Sequence, residues 1–245
     1  MKTLKYGGVI LLFWALGLVE AEAQIFSQDI TIRSTTTSSG MMGKGGSTST
    51  STDYYSKNAL KMTSSEGSDT IIRFDEEKYI TVNNKQKTYS EMTFKQLQDR
   101  LAMAGKEMKG NPEAMAAMKK MMGSVIDSFK VTKEGPGEQV AGYATEKYHI
   151  QGPADMEVWA APNLKVPAAY YDVLKFQMPP NPMFDMNKLY DEMKKVDGIP
   201  MKTVTSIKMM GMEMKTTQVV ISVEKGAIAP SLFEVPAGYK LVQQK

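Results

Sequence analysis

The sequence predicts an α+β fold in which one curved antiparallel sheet carries helices against one face. Short segments of alternating apolar and polar residues recur on both sides of the middle of the chain. Tight turns join them, which favours antiparallel pairing, because parallel strands need long crossover connections. Between the two groups of strands the apolar spacing becomes helical. The order strands, helices, strands therefore favours a single sheet with helices packed on it.

The N-terminus has the pattern of a cleavable secretory signal peptide over residues 1–23. Lys2 and Lys5 supply the positive region, twelve apolar residues follow, and Ala21-Glu22-Ala23 supplies the cleavage site. Twelve residues rise only about 18 Å as a helix, which is shorter than the roughly 30 Å hydrocarbon core of a bilayer. We therefore expect one exported domain over 24–245. The chain has no cysteine for a lipid anchor, so this domain is expected to be free in the periplasm.

The first half of the domain predicts a meander of short strands. Ile30 and Ile32 alternate with polar residues, as in a half-buried strand. The Ser/Thr/Gly-rich segment 34–53 is either a disordered linker or a long hairpin with a glycine-rich tip. The hairpin is favoured because strand patterns resume on both sides of the segment. Further strands are predicted, separated by turns, over 55–62, 69–74, 78–82 and 87–91.

Helical spacing begins after residue 93. Thr93 and Gln96 have the spacing of a capping box. Asn111-Pro112 places proline at the favoured first position of a second helix. Each helix has one apolar stripe: Leu97, Leu101, Ala104 and Met108 in the first, and Met115, Met118 and Met122 in the second.

Strands are predicted again in the second half. They cover 125–133, 143–151 and 156–160, before a helical or irregular insert over 167–195. A last hairpin is predicted over 203–209 and 212–224, and a closing segment over 232–241. Trp159 is expected in the core.

Composition excludes several classes of chemistry. The net charge of +3 is spread along the chain, which is unlike the clustered basic surface of a nucleic-acid-binding protein. There is no cysteine and one histidine, His149, on a predicted strand. No phosphate-binding loop, dinucleotide fingerprint or nucleophile elbow is present. The acidic residues lie in turns or beside lysines. We therefore expect no enzymatic activity and no cofactor.

Methionine is over-represented, with 21 residues in clusters. Thioethers bind Cu(I), form deformable apolar surfaces for hydrophobic ligands, or fill a core. The stripe in the second helix favours core packing, whereas Met212 and Met214 share one face of a strand and suit the lining of a hollow. The candidate ligand-binding residues are Met115, Met118, Met122, Met210, Met212 and Met214.

Five segments resemble an exported bacterial family known only as a domain of unknown function. They are IIRFDEEKYITVNNKQKTYSEMT, VAGYATEKYHI, MEVWAAPNL, GIPMKT and FEVPAGYKL, and the resemblance covers most of 25–241. The family is similar to the periplasmic lipoprotein carriers, which implies an unclosed half-barrel around an apolar hollow that helices plug. Ala144 stands where some relatives have a cysteine, so a role for a thiol there is not expected.

These observations together predict a periplasmic, monomeric, non-enzymatic protein that binds a hydrophobic ligand. The ligand would be an acyl chain, a lipid or a segment of a lipidated protein, and neither nucleic acid nor an integral membrane segment would be involved. Two alternatives remain open. One is a Cu(I)-handling protein that uses the methionine clusters, and the other is a structural envelope protein whose sheet edge or Ser/Thr-rich hairpin engages a partner chain.

Overall fold

A computed structural model describes residues 29–39, 46–65, 67–107, 129–152, 154–165, 191–209 and 212–242. These residues form one 12-stranded sheet, one long α-helix, a helical turn at 191–193 and a 3₁₀ turn. The signal peptide and the second helix that the sequence predicts lie outside them. None of the helical residues described belongs to a helix long and apolar enough to span a bilayer.

The elements follow in chain order. The strands are β1 Ile30–Ser38, β2 Ser47–Tyr55, β3 Ala59–Thr63, β4 Ser68–Arg73, β5 Lys78–Asn83, β6 Thr88–Thr93, β7 Lys130–Pro136, β8 Glu146–Gln151, β9 Asp155–Ala161, β10 Ile199–Met209, β11 Met212–Lys225 and β12 Lys240–Leu241. Helix α1 covers Phe94–Glu107, and the 3₁₀ turn covers Pro230–Phe233.

The sheet consists of two meanders joined at strands β1 and β11. The strand order is β12-β6-β5-β4-β3-β2-β1-β11-β10-β9-β8-β7, so the sheet is open, with β12 and β7 at its edges. All neighbours are antiparallel except β12 and β6, which are parallel. The central pair joins segments far apart in the chain, for example Ile32 with Val223. The predicted antiparallel sheet is therefore confirmed.

The two faces of the sheet are covered by different segments. We call one the helix face, because it contacts Phe94 at the start of α1 and Val196 after a helical turn at 191–193. We call the other the tail face, because the C-terminal segment 226–242 packs on it through Phe233. Neighbouring residues of a strand alternate between the two faces. Glu192 in the same helical turn also accepts a hydrogen bond from the N–H of Val131 at 2.8 Å. Beyond such contacts, the predicted packing of helices on one face stays a prediction.

The first meander buries apolar side chains on both faces. Leu60 and Ile72 pack with Phe94 on the helix face, and Ile71 packs with Phe233 on the tail face. Ile71 and Ile72 are 0% and 1% exposed, so this strand is covered on both sides. Burying one such side chain stabilises the fold by roughly 1.5–3 kcal/mol.

On the helix face of the second meander, Tyr148 joins the sheet to the segment that follows the helical turn at 191–193. This residue is 1% exposed and packs with Ile150, Val158 and Val196. Its hydroxyl accepts a hydrogen bond from the N–H of Asp197 at 3.2 Å. The segment after the helical turn is therefore fixed to the sheet by both apolar packing and a polar contact.

Several local predictions are confirmed, and two are wrong. The hairpin over 34–53 forms as β1 and β2, and Thr93 caps the predicted helix, which begins at Phe94. Residues 55–62 are not one strand, because the chain reverses at 56–58, where the Ser56 hydroxyl bonds the backbone of Ala59. The closing segment 232–241 contains the end of the 3₁₀ turn Pro230–Phe233 and the two-residue strand β12. Trp159 is half-buried rather than in the core.

Candidate functional site

A cleft of about 690 Å³ opens beside helix α1, at the edge of the sheet. Ligand sites in proteins commonly have volumes of roughly 300–1,000 Å³. The cleft lies between the first turns of α1, the ends of β5 and β6, and strand β12 with the residue after it. Its lining is Lys78, Glu91, Met92, Thr93, Gln96, Asp99, Arg100, Met103, Leu241 and Val242.

Local interactions fix the walls of this cleft. The Gln96 N–H donates to Oγ1 of Thr93 at 3.1 Å, and the Thr93 N–H donates to Oε1 of Gln96 at 2.8 Å. This reciprocal pair is the capping box that the sequence predicts, and it sets where α1 leaves β6. On the opposite wall, the N–H of Val242 donates to the carbonyl of Tyr89 at 2.8 Å, which holds the C-terminal segment against β6.

The apolar part of the lining is unusually exposed. Met103, Leu241 and Val242 are 65%, 58% and 44% exposed, and they are half of the six large hydrophobic residues that are exposed in the described part of the chain. Met92 is buried beneath them, at 9%. Apolar side chains gathered at a concave surface are typical of a ligand or partner site.

The charged part of the lining is balanced. Lys78 and Arg100 line the same cleft as Glu91 and Asp99. Glu76 lies 3.1 Å from the Lys78 ammonium, and this hydrogen bond raises the pKa of Lys78. The ammonium group of Lys95 is 2.7 Å from the Asp99 carboxylate. Two cations beside two carboxylates give no net attraction for an anion.

The candidate methionines do not line this cleft. Met115, Met118, Met122 and Met210 lie outside the described residues. Met212 begins β11 opposite Met209, and Met214 lies two residues on, opposite Ile207, where it is 38% exposed. Strand β11 is six strands from β6, or roughly 29 Å at about 4.8 Å per strand. The Cu(I) hypothesis stays a prediction.

The sequence patterns missed the residues that form the cleft. Leu241 and Val242 reach β6 only because the C-terminal segment crosses the sheet to its far edge. Met103 lies in the predicted helix but outside its apolar stripe. One signal was present in the sequence: an apolar Leu-Val pair next to the polar C-terminus, with no other predicted role.

A polar cluster lies on the tail face of the second meander, around the only histidine. His149 Nε2 is 2.5 Å from Oδ1 of Asp155, and both line a shallow pocket of about 200 Å³ with Ser206. Ser206 is on β10, two strands from β8, so roughly 10 Å separates its backbone from that of His149. Within the described residues His149 is hydrogen-bonded to Asp155 and not to Ser206, and its side chain is half-buried.

Trp159 lies between two lysines on the same face. The ammonium groups of Lys202 and Lys147 are 4.5 Å and 5.2 Å from the centre of its ring. Glu157 and then Glu134 raise the pKa of Lys147 through hydrogen bonds. Cation–π contacts of this kind contribute about 0.5–1 kcal/mol each at exposed sites. These contacts stabilise the half-buried ring of Trp159 on the tail face. Elsewhere, the described residues hold no group of His, Asp or Glu that could bind a metal.

Asp53 is an acidic residue on an otherwise apolar part of the helix face. Its register partners are Ile32 on one side and Met62 on the other. Burial raises the pKa of Asp53 to about 6. The carboxyl group is therefore partly protonated at mildly acidic pH.

Comparison with known proteins gives a family and distant structural likenesses. No curated protein matches the chain. Among solved structures, the chain is 10% identical to PNGF-II (TM-score 0.41), over 89% of this chain and 31% of that one. It is 11% identical to MucB (TM-score 0.43), over 89% and 61%. It is 10% identical to an outer membrane lipoprotein-sorting protein domain from Vibrio parahaemolyticus (TM-score 0.31), over 84% and 89%.

The chain thus spans about a third of the length of PNGF-II and less than two thirds of that of MucB. The family model described as a domain of unknown function, DUF4412, matches residues 106–239, which is more than half of the chain. This match confirms the resemblance to a family of unknown function that the sequence segments indicate. The protein belongs to the DUF4412 family.

Proposed function

We propose that the protein is an exported, non-enzymatic binding protein for an amphiphilic ligand that lies in the α1 cleft. The observation that carries the proposal is the exposed apolar lining of the cleft, formed by Met103, Leu241 and Val242 over the buried Met92. An acyl chain that covers these side chains would gain roughly 25 cal/mol for each Å² of apolar surface removed from water. A free acyl chain, a lipid or a lipidated protein segment would each supply such a chain.

The charges of the cleft narrow the choice of ligand. Lys78 and Arg100 are offset by Glu91 and Asp99, so an anionic head group would meet as much repulsion as attraction. A zwitterionic or neutral polar head group fits this equal number of cations and carboxylates better, because its positive and negative ends can each lie near a side chain of opposite charge. The ligand class supported best is therefore a lipid or acylated segment whose polar end is not strongly anionic.

Native mass spectrometry and a fluorescent acyl probe test this proposal. We expect lipid to co-purify with the protein, and a fluorescent phosphatidylcholine analogue to bind more tightly than a fluorescent phosphatidylglycerol analogue. Leu241→Ser and Met103→Ser should each weaken binding about fivefold. Ile221→Ser is the matched control, because Ile221 is 57% exposed but lies on β11, far from the cleft.

Two results would contradict the proposal. One is a protein that carries no lipid after purification and takes up neither probe. The other is an equal loss of binding in Leu241→Ser and Ile221→Ser, since that would place the ligand elsewhere or make the loss a general effect on folding.

A further inference from the structure

Strand β2 has an open edge along its first five residues. It pairs with β1 along its whole length, but β3 pairs with it only at residues 53–55. Within the residues that the structure describes, no strand lies beside 47–51 on the side away from β1. Thr48 and Thr50 are exposed there.

Thr63 shows which backbone groups point out of this edge. The N–H of Thr52 donates to Oγ1 of Thr63 at 2.9 Å, and the Thr63 hydroxyl donates to the carbonyl of Thr52 at 2.8 Å. Both backbone groups of a residue in an antiparallel strand point to the same side, and the side alternates along the strand. Thr48 and Thr50 therefore also direct their N–H and C=O outward. The Thr63 side chain closes the edge at Thr52.

This edge lacks the features that normally prevent strand addition. Proteins protect sheet edges with lysine, proline, bulges or inward-pointing charges. Strand β7, at one outer edge of the sheet, has Lys133, Pro136 and a register shift between Lys133 and Gly135. Residues 47–51 have none of these, and their register with β1 is regular. Alternate threonines also favour extended backbone.

The open segment is a palindrome, Ser-Thr-Ser-Thr-Ser. Laid antiparallel against itself, it places Ser49 opposite Ser49 and Thr48 opposite Thr50. The outward-facing residues are Thr48 and Thr50, so they form the hydrogen-bonded pairs of this register, and the two copies exchange four backbone hydrogen bonds. Every pair is serine with serine or threonine with threonine, with no charge to repel the second copy.

We propose that residues 47–51 pair antiparallel with the same segment of a second copy, which makes a two-fold dimer with one continuous sheet. Such an interface is isologous and closes on itself, so it gives a dimer rather than a fibre. Five-residue strands bury much less than the roughly 1,200–2,000 Å² of a stable interface. The dimer is therefore weak and forms at high local concentration, whereas the chain is a monomer, as the sequence predicts, when dilute.

Cysteine cross-linking tests the register directly, because the chain has no cysteine of its own. Ser49→Cys places two thiols opposite each other in a non-hydrogen-bonded pair, where the Cα atoms lie about 4.5 Å apart and a disulfide forms readily. Ser47→Cys is the control, because Ser47 faces Ser51 of the second copy. We expect Ser49→Cys to form the disulfide dimer at least tenfold faster than Ser47→Cys, and a mixture of Ser47→Cys and Ser51→Cys to form the mixed dimer. Equal rates for the two single variants would overturn the proposal.

Sedimentation equilibrium up to millimolar concentration provides the second test. Thr50→Pro removes an outward N–H without removing a bond to β1, and proline is tolerated at such edge positions. We expect it to raise the dimer dissociation constant at least tenfold, while Thr50→Val, which keeps the N–H, leaves the constant within twofold. Circular dichroism checks that both variants are folded. A wild-type protein that stays monomeric throughout, or a dimer that is unchanged in Thr50→Pro, would refute strand pairing at this edge.

Discussion

Thr93 and Gln96 form a reciprocal cap at the start of helix α1. The Gln96 N–H donates to the Thr93 hydroxyl at 3.1 Å, and the Thr93 N–H donates to the Gln96 amide oxygen at 2.8 Å. The pair stands where strand β6 becomes helix α1, and both residues line the cleft. The position of one wall of the candidate site therefore depends on a contact between residues three apart in the chain.

Loss of this cap should destabilise the protein. We expect Thr93→Ala to lower the free energy of unfolding by about 1 kcal/mol, because it leaves a helix N–H without its acceptor. Lys95→Ala, which removes an exposed ion pair with Asp99, should cost no more than about 0.5 kcal/mol. Urea denaturation of the two variants measures the difference. Equal losses would mean that the capping box does not hold the start of α1.

Gly198 should tolerate no side chain. Its φ is +98°, and a Cβ there would lie 2.0 Å from the carbonyl oxygen of Ala161. Gly135 is the matched control, because its φ is +113° and a Cβ would meet no atom within 4 Å. We expect Gly135→Ala to cost about 1–2 kcal/mol from backbone strain alone. Gly198→Ala should cost at least about 2 kcal/mol more, as measured by thermal unfolding, and similar losses in the two variants would contradict the predicted clash.

The Tyr148 hydroxyl should contribute to stability separately from the ring. Tyr148→Phe keeps the packing against Val158 and Val196 but leaves the N–H of Asp197 without its acceptor. We expect a loss of about 1 kcal/mol, whereas Tyr148→Ala should cost about 3–5 kcal/mol because it also leaves a cavity. Chemical denaturation separates the two values. Hydrogen exchange should show faster exchange at the Asp197 amide in Tyr148→Phe.

Asp53 should make stability depend on pH between about 4 and 6. Its pKa is raised from 3.8 to about 6 in the folded protein, so the folded state binds this proton more tightly than the unfolded state does. The contribution of Asp53 to the free energy of unfolding is therefore most favourable below pH 4, falls as the pH rises from about 4 to 6, and is constant above pH 6. At neutral pH the buried charge costs about 2–3 kcal/mol.

Asp53→Asn tests this prediction, because it removes the charge and keeps the shape. We expect Asp53→Asn to be more stable than the wild type at pH 7.5, and this advantage to shrink as the pH falls to 4. Comparing the two proteins at each pH cancels the other titrating groups. A difference in stability that does not change with pH would show that Asp53 keeps its ordinary pKa.

The local part of the fold could be predicted from the sequence. Ile80 and Val82 alternate with half-buried residues in β5, as expected, because a strand presents neighbouring side chains to opposite faces. The break in the predicted strand 55–62 has no glycine or proline to mark it, although its turn uses Ser56. Asn58 alone did not outweigh the apolar pattern on both sides.

Most of the candidate site could not be predicted from the sequence. Lys78, Arg100 and Leu241 belong to β5, α1 and β12, and nothing in their local patterns indicates that they meet. Trp159 was expected in the core because tryptophan is apolar, but it is half-buried, and Lys147 and Lys202 on neighbouring strands contact its ring. The cleft lining and the surroundings of Trp159 both depend on which residues are neighbours on adjacent strands, and the pairing register of the sheet decides this.

The sequence by itself determined the antiparallel sheet, most of its strand positions and the start of α1. Alternation, turns and helix capping all act between residues close together in the chain. Only the tertiary structure decided that β1 pairs with β11, that the C-terminal segment crosses the tail face to reach β6, and that 47–51 is left with an open edge. Many strands have compatible local patterns, so their pairing depends on burial and register across the whole sheet, which no local pattern contains.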